Sequence, residues 1–226
     1  MKFYPLNRSK AIFFARLFLI LGAAAFVTLM MQVFVVQSFR IDSGSMKPAL
    51  AIGDTVIVSK FSYNFGEEPK PGDIIAFFDK RTNDVLIKRV IAGPGQEVAV
   101  SKGRIYIDWK ELKVQQLANY VEIYQNEGID AGLPRCSNTA ISLGDHCIKH
   151  RYREWSTSGN SYEILRSLPS DVDNSPPQRV LQDTYFVMGD NRDNSRDSRY
   201  PFEIGGLGLI EKGDVIGKVI FKFRLN

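Results

Sequence analysis

From Leu17 to Val36 the chain reads LFLILGAAAFVTLMMQVFVV, about 20 residues without a charge. Coiled into a helix, such a run matches a hydrocarbon core roughly 30 Å thick. The charges before it (Lys2, Arg8, Lys10 and Arg16) are all basic, and the first acidic residue is Asp42. That bias puts the N-terminus on the cytoplasmic side and everything after Arg40 outside. A cleavable leader shares the basic start and the apolar run. This run is too long for one, and its small residues, Ala23 to Ala25, sit in its middle.

About 185 residues remain beyond the span, enough for one sizeable core or a core with a smaller subdomain. The chain carries 29 basic and 25 acidic side chains, a net charge of +4. Four of the basic residues precede the span, so the rest is nearly neutral, which argues against nucleic acid as a partner.

Beyond the span, β-branched and aromatic runs alternate with turn signals. TVIVS begins at Thr55, IIAFF at Ile74, VLIKRVIA at Val85, EVAVS at Glu97 and RIYID at Arg104. Gly53-Asp54, Pro71-Gly72-Asp73 and Gly93-Pro94-Gly95 punctuate them, and Lys102-Gly103 reads as a hairpin turn. From Trp109 to about Asp183 the pattern loosens into an inserted segment of low regularity. Strand character returns in TYFVMGD from Thr184 and VIGKVIFKF from Val215. The expected plan is therefore a cytoplasmic N-terminus (1–16), an anchor (17–36), a β core (37–108 and 184–226) and an inserted subdomain (109–183).

Cys136 and Cys147 lie in the exported part, where an oxidising compartment allows a disulfide across a short loop. His146 and His150 flank Cys147, but neither spacing follows a zinc pattern, so a disulfide and no metal site is expected.

Three segments carry chemistry. The first, Ile41 to Leu50, reads IDSGSMKPAL, with small residues that allow a tight backbone around an exposed hydroxyl at Ser45. A serine needs a base to become a nucleophile, and the two histidines lie in the irregular insertion. Lys88 is the better candidate, because strand alternation places Leu86 and Val90 on its face while Arg89 points the other way. Burial against that face would disfavour the ammonium and bring the pKa toward a general base's range. Read from the strand alone, Lys88 suits a surface lysine snorkelling from an edge better than a base, and the other segments reverse that order. The third segment, Gly189 to Arg199, reads GDNRDNSRDSR. Arg192 and Arg196 interrupt its carboxylates, so it suits internal charge-assisted hydrogen bonds better than a calcium loop.

Together SGSMKPAL, IKRVIAGPGQ and GDNRDNSRDSR, in this order, resemble the three boxes of the bacterial type I signal peptidase family. The anchor, Ile52-Gly53-Asp54 and Pro71-Gly72-Asp73-Ile74-Ile75 extend the resemblance over most of the chain outside the insertion. It implies a mainly β fold: an antiparallel catalytic core with an inserted smaller subdomain, preceded by one transmembrane helix in the bacterial inner membrane, with the catalytic part on the outer side. It implies Ser45 as nucleophile, Lys88 as general base, Ser195 as the residue orienting the lysine, and Ser43 Oγ with the Ser45 N–H as oxyanion hole. Phe39, Ile41, Met46, Leu50, Leu86 and Ile87 match positions lining shallow apolar pockets. Asp190, Arg192, Asp197 and Arg199 match positions that brace the site. Preproteins carrying signal peptides are the implied substrates, with no cofactor. Asp42 and Ala49 depart from the proline and threonine common in that family.

Two readings compete. Regulatory or self-cleaving Ser/Lys proteases share the dyad, but they are typically soluble and carry a DNA-binding region. A non-enzymatic anchored envelope module would explain the anchor, strands and cysteines, yet leaves the three boxes without a purpose.

Overall fold

The computed structural model describes residues 8–63, 67–126, 132–139 and 142–224. The first seven residues, with Lys2 of the basic flank, lie outside the described residues, as do 127–131 and 140–141 of the inserted segment.

Helix α1 (Arg8–Phe34) runs for 27 residues with no proline and a single internal glycine, Gly22. At 1.5 Å per residue its backbone is about 40 Å long. It has no preferred apolar face, and large apolar side chains such as Phe13, Phe18, Leu19 and Phe26 are exposed along it. Its side chains at 8, 11, 29 and 31–34 are not among those described, and among the described residues no helix is long and apolar enough to cross a membrane. The helix starts before Leu17, and Val36 already belongs to the first strand.

Fifteen strands follow among the described residues. The first six are β1 (Val36–Arg40), β2 (Thr55–Ser59), β3 (Ile74–Asp79), β4 (Asp84–Ala92), β5 (Glu97–Ser101) and β6 (Arg104–Ile107). Next come β7 (Lys110–Glu111), β8 (Val114–Gln116), β9 (Tyr120–Ile123), β10 (His146–Trp155), β11 (Ser161–Arg166) and β12 (Ser175–Arg179). The last are β13 (Thr184–Met188), β14 (Ile210–Glu211) and β15 (Val215–Phe223).

An antiparallel seven-stranded sheet has the order β1-β2-β15-β3-β4-β13-β14. A second sheet runs β12-β5-β6-β7, and a third β11-β10-β8, with β9 pairing the first half of β10. The chain is thus mainly β and antiparallel. The large sheet is interrupted after Ala92 and not at Trp109, because β5 and β6 pair with β7 and β12. The inserted segment is also more regular than its composition suggests, since β10 and β11 form a six-pair ladder.

Alternation explains the packing. In β2, Val56 and Val58 are fully buried with Ile41, Met46, Leu50 and Ala76. Ile75, Phe77, Val90, Tyr185 and Val187 form a second cluster, with Leu86 packed against it. On the opposite face Ile91, Phe186 and Met188 meet Val98, Ile105, Ile107 and Ile164 of the smaller sheets. Each fully buried side chain of this size contributes about 1.5–3 kcal/mol. The β5–β6 hairpin turns at Lys102 and Gly103, both with positive φ, as a two-residue turn of the right-handed twist demands.

Candidate active site

Ser45 sits in a one-turn 3-10 helix (Gly44–Met46) between β1 and β2, with all three residues buried. The turn has no side-chain cap of its own. It is held instead by Asn191, whose N–H donates to Ser45 O and whose Nδ2 donates to Gly44 O, both at 3.0 Å. Gly189 makes this approach feasible, because a Cβ there would lie 2.6 Å from Ser45 O and 2.3 Å from Ser195 Oγ.

Lys88 lies on β4, on the face that carries Leu86 and Val90, and is 5% exposed. Its Nζ is 2.7 Å from Ser45 Oγ. Burial of the amine lowers its pKa from the usual lysine range to about 8, against the opposing pull of Asp197, Asp190 and Asp42. The Ser43 hydroxyl is 3.3 Å from that of Ser45.

Ser195 reaches the same neighbourhood but does not bond the lysine. Its hydroxyl is shielded from solvent and lacks a partner of normal hydrogen-bond geometry. The residue is in extended conformation beyond a 3-10 turn, and its Oγ packs against Gly189 near the Asp197 carboxylate. The expected lysine-orienting hydrogen bond is therefore not made in this structure.

The remaining residues of the third segment form buried ion pairs. Asp190 takes a bidentate pair from Arg89, at 2.7 and 2.6 Å, and the Arg89 guanidinium lies over the Tyr162 ring. Arg192 pairs with Glu154 through both terminal nitrogens, and Tyr162 Oη donates to the same carboxylate at 2.8 Å. Asp197 accepts from Arg199 Nε at 2.8 Å and from the Gly189 N–H at 3.1 Å. Burial by itself would raise the Asp197 carboxyl, but Arg199, the Gly189 N–H and the neighbouring Ser195 hydroxyl hold it below the usual carboxylate range. Asp193 accepts from the Ser167 N–H. These carboxylates are thus engaged by protein donors within the loop and its neighbours.

A groove of about 550 Å³ opens on the dyad. Phe39, Ile41, Met46, Leu86 and Ile87 line it with Ser43, Ser45 and Lys88, and Arg40, Asp42 and Asp84 contribute charges. Leu50 does not line it. It follows the turn after Lys47-Pro48, its N–H bonds Met46 O, and its side chain packs into the core beside Val56 and Val58. Cys136 and Cys147 are joined in a disulfide, and His150 contacts Asn119.

Sequence reasoning missed Glu154, Arg89 and Asn191 as supports of the site. Arg89 and Asn191 lie inside the segments singled out above. For Glu154 the sequence offers no signal, since it lies in an ordinary run of charged residues.

A buried amine 2.7 Å from a serine hydroxyl beside a groove is an arrangement chemically suited to acyl transfer through a serine. The family model "Signal peptidase, peptidase S26" matches residues 14–224, and the chain belongs to that family. Signal peptidase I of Pseudomonas aeruginosa is 31% identical over 214 residues, covering 85% of this chain and 66% of its own. That of Buchnera aphidicola subsp. Schizaphis graminum is 29% identical, covering 85% and 69%, and that of Leptolyngbya laminosa 28%, covering 90% and 76%. The chain thus spans about two thirds of the length of the first two relatives. A solved signal peptidase I from Enterococcus faecalis is 24% identical over 68% of this chain and 98% of its own, with a TM-score of 0.36.

Proposed function

We propose that this chain is a membrane-anchored serine endopeptidase that removes signal peptides from exported preproteins. The observation that carries this reading is the 2.7 Å contact between a desolvated Lys88 amine and the Ser45 hydroxyl.

The first half of β4 supplies a docking edge. Its partner β13 is registered only with Arg89 to Ala92, so Asp84 to Lys88 pair with β3 alone. An extended preprotein segment would add along this edge, its small side chains entering the pockets formed by Phe39, Ile41, Met46, Leu86 and Ile87. Ser45 Oγ attacks the scissile carbonyl carbon while Lys88 Nζ takes its proton. The oxyanion is held by Ser43 Oγ–H and the Ser45 N–H. The lysine ammonium then gives its proton to the leaving amine, and a serine ester remains. Water then attacks that ester as Lys88 takes its proton, and the ammonium returns the proton to Ser45 Oγ as the C–Oγ bond breaks, releasing the acyl part as a carboxylic acid and restoring the enzyme. Each proton has a side chain to receive it, so the route calls on no cofactor.

Asp190, Arg192, Asp197 and Arg199 brace the geometry and take no part in bond-making, and Ser195 packs against Gly189. The anchor is the apolar part of α1, in the bacterial inner membrane. Residues 1–16 stay on the cytoplasmic side, and the core of 37–108 and 184–226, with its insertion 109–183, lies outside. The uncharged run from Leu17 to Val36 and the basic residues that precede it in the sequence support this topology.

A β-lactam-like or lipopeptide acylating agent followed by intact mass tests the reading. One adduct located on Ser45 is expected. No adduct, or an adduct elsewhere, counts against it.

A further inference from the structure

The inserted segment reaches the nucleophile through one carboxylate. Glu122, on β9, accepts from Lys47 Nζ at 2.6 Å through one oxygen and lies 2.7 Å from Lys149 Nζ through the other. The Lys47 and Glu122 side chains are 12% and 11% exposed, and Lys149 is fully buried. Burial alone would raise the Glu122 carboxyl, but Lys149 and Lys47 together lower it, so it is ionised at neutral pH. Lys47 is the residue that closes the turn carrying Ser45, its N–H bonding Gly44 O. Glu122 is held in turn, because it lies opposite Cys147 in the β9–β10 ladder, and Cys147 is tied to Cys136.

We propose that Glu122 is a positioning residue for the nucleophile: by clamping Lys47 it fixes the end of the Ser45 turn that Asn191 does not hold. This rests on Ser45 being the nucleophile, as argued above. Three observations support a positioning role over a merely cohesive one. The turn is a single one without a side-chain cap. Asn191 grips only its Gly44 and Ser45 carbonyls. The Lys47 side chain, two residues after Ser45, goes to Glu122. Misplacing a reacting atom by about 1 Å can cost roughly a hundredfold in rate. The inserted subdomain, on this account, completes the active site.

The test is single-turnover and steady-state cleavage of a preprotein by wild type, Lys47→Met and Lys47→Arg. Lys47→Met leaves Glu122 paired with Lys149, so no buried charge loses its partner. The expected result is a fall in kcat of about tenfold or more with KM and melting temperature little changed. The pH midpoint of the rate should stay where it is in the wild type, and Lys47→Arg should recover most of the rate. A wild-type kcat in Lys47→Met, or a lowered melting temperature with unaltered kcat, would overturn the proposal. Should Lys47→Met not fold, Lys47→Gln, which keeps a hydrogen bond but no charge, is read by the same criteria. Absence of cleavage by the wild type would instead defeat the underlying assignment of function.

Discussion

Lys88 Nζ and Ser45 Oγ stand 2.7 Å apart, 43 residues distant in sequence, and neither residue is more than 9% exposed. The first is delivered by a strand of the large sheet and the second by a short turn held from outside. Their meeting therefore depends on the whole antiparallel frame.

Because desolvation brings Lys88 down to about 8, most of the amine is charged at pH 6 and most is neutral at pH 9. The rate of preprotein cleavage should rise about tenfold per pH unit below that value and level off above it. A kcat/KM profile from pH 5 to 9.5 measures this, and a flat profile would remove lysine as the base.

The same shift carries a stability consequence. The folded Lys88 sheds its proton near 8, while the unfolded chain keeps it up to the ordinary lysine value of 10.5. Over that window the unfolded state binds more protons, so stability rises with pH, and below it the full cost of the buried charge is present. Lys88→Met should therefore be more stable than wild type at pH 7, by up to about 3 kcal/mol at 1.36 kcal/mol per unit. The gain should fade toward pH 10.5, which denaturant melts at several pH values would show.

Gly189→Ala should cripple activity without touching a reacting group. The added methyl would meet Ser195 Oγ at 2.3 Å and Ser45 O at 2.6 Å, and the second contact is backbone of the nucleophile itself. Displacing that backbone should lower kcat by roughly a hundredfold. Normal kcat in a folded variant would show that the turn yields more easily than its packing implies.

Glu154→Ala should destabilise the fold by about 3–5 kcal/mol, since it leaves Arg192 buried and unpaired and removes the acceptor of Tyr162 Oη. Replacing both partners, as Arg192→Met with Glu154→Leu, should cost far less. Denaturant unfolding of the wild type and the two variants compares the two effects.

The large-sheet strands were legible because their buried positions are apolar and alternate, as Val56 and Val58 do in β2. Strand β10 was not, because its buried positions include Lys149 and Glu154, whose polarity is offset only by partners on other elements. Leu50 shows a second limit: an apolar residue near a nucleophile reads the same whether it lines a groove or fills the core beneath it. The dyad's two members stood out through the motif resemblance, whereas the pairings Arg89–Asp190 and Arg192–Glu154 span 101 and 38 residues and follow from topology alone.

The most direct test is processing of a defined preprotein in liposomes by wild type, Ser45→Ala and Lys88→Ala, with N-terminal sequencing of the product. The wild type should release one mature chain cut after a small residue. Both variants should stay folded and membrane-bound while losing at least roughly a thousandfold in rate. Processing at the wild-type rate by either variant would contradict the account.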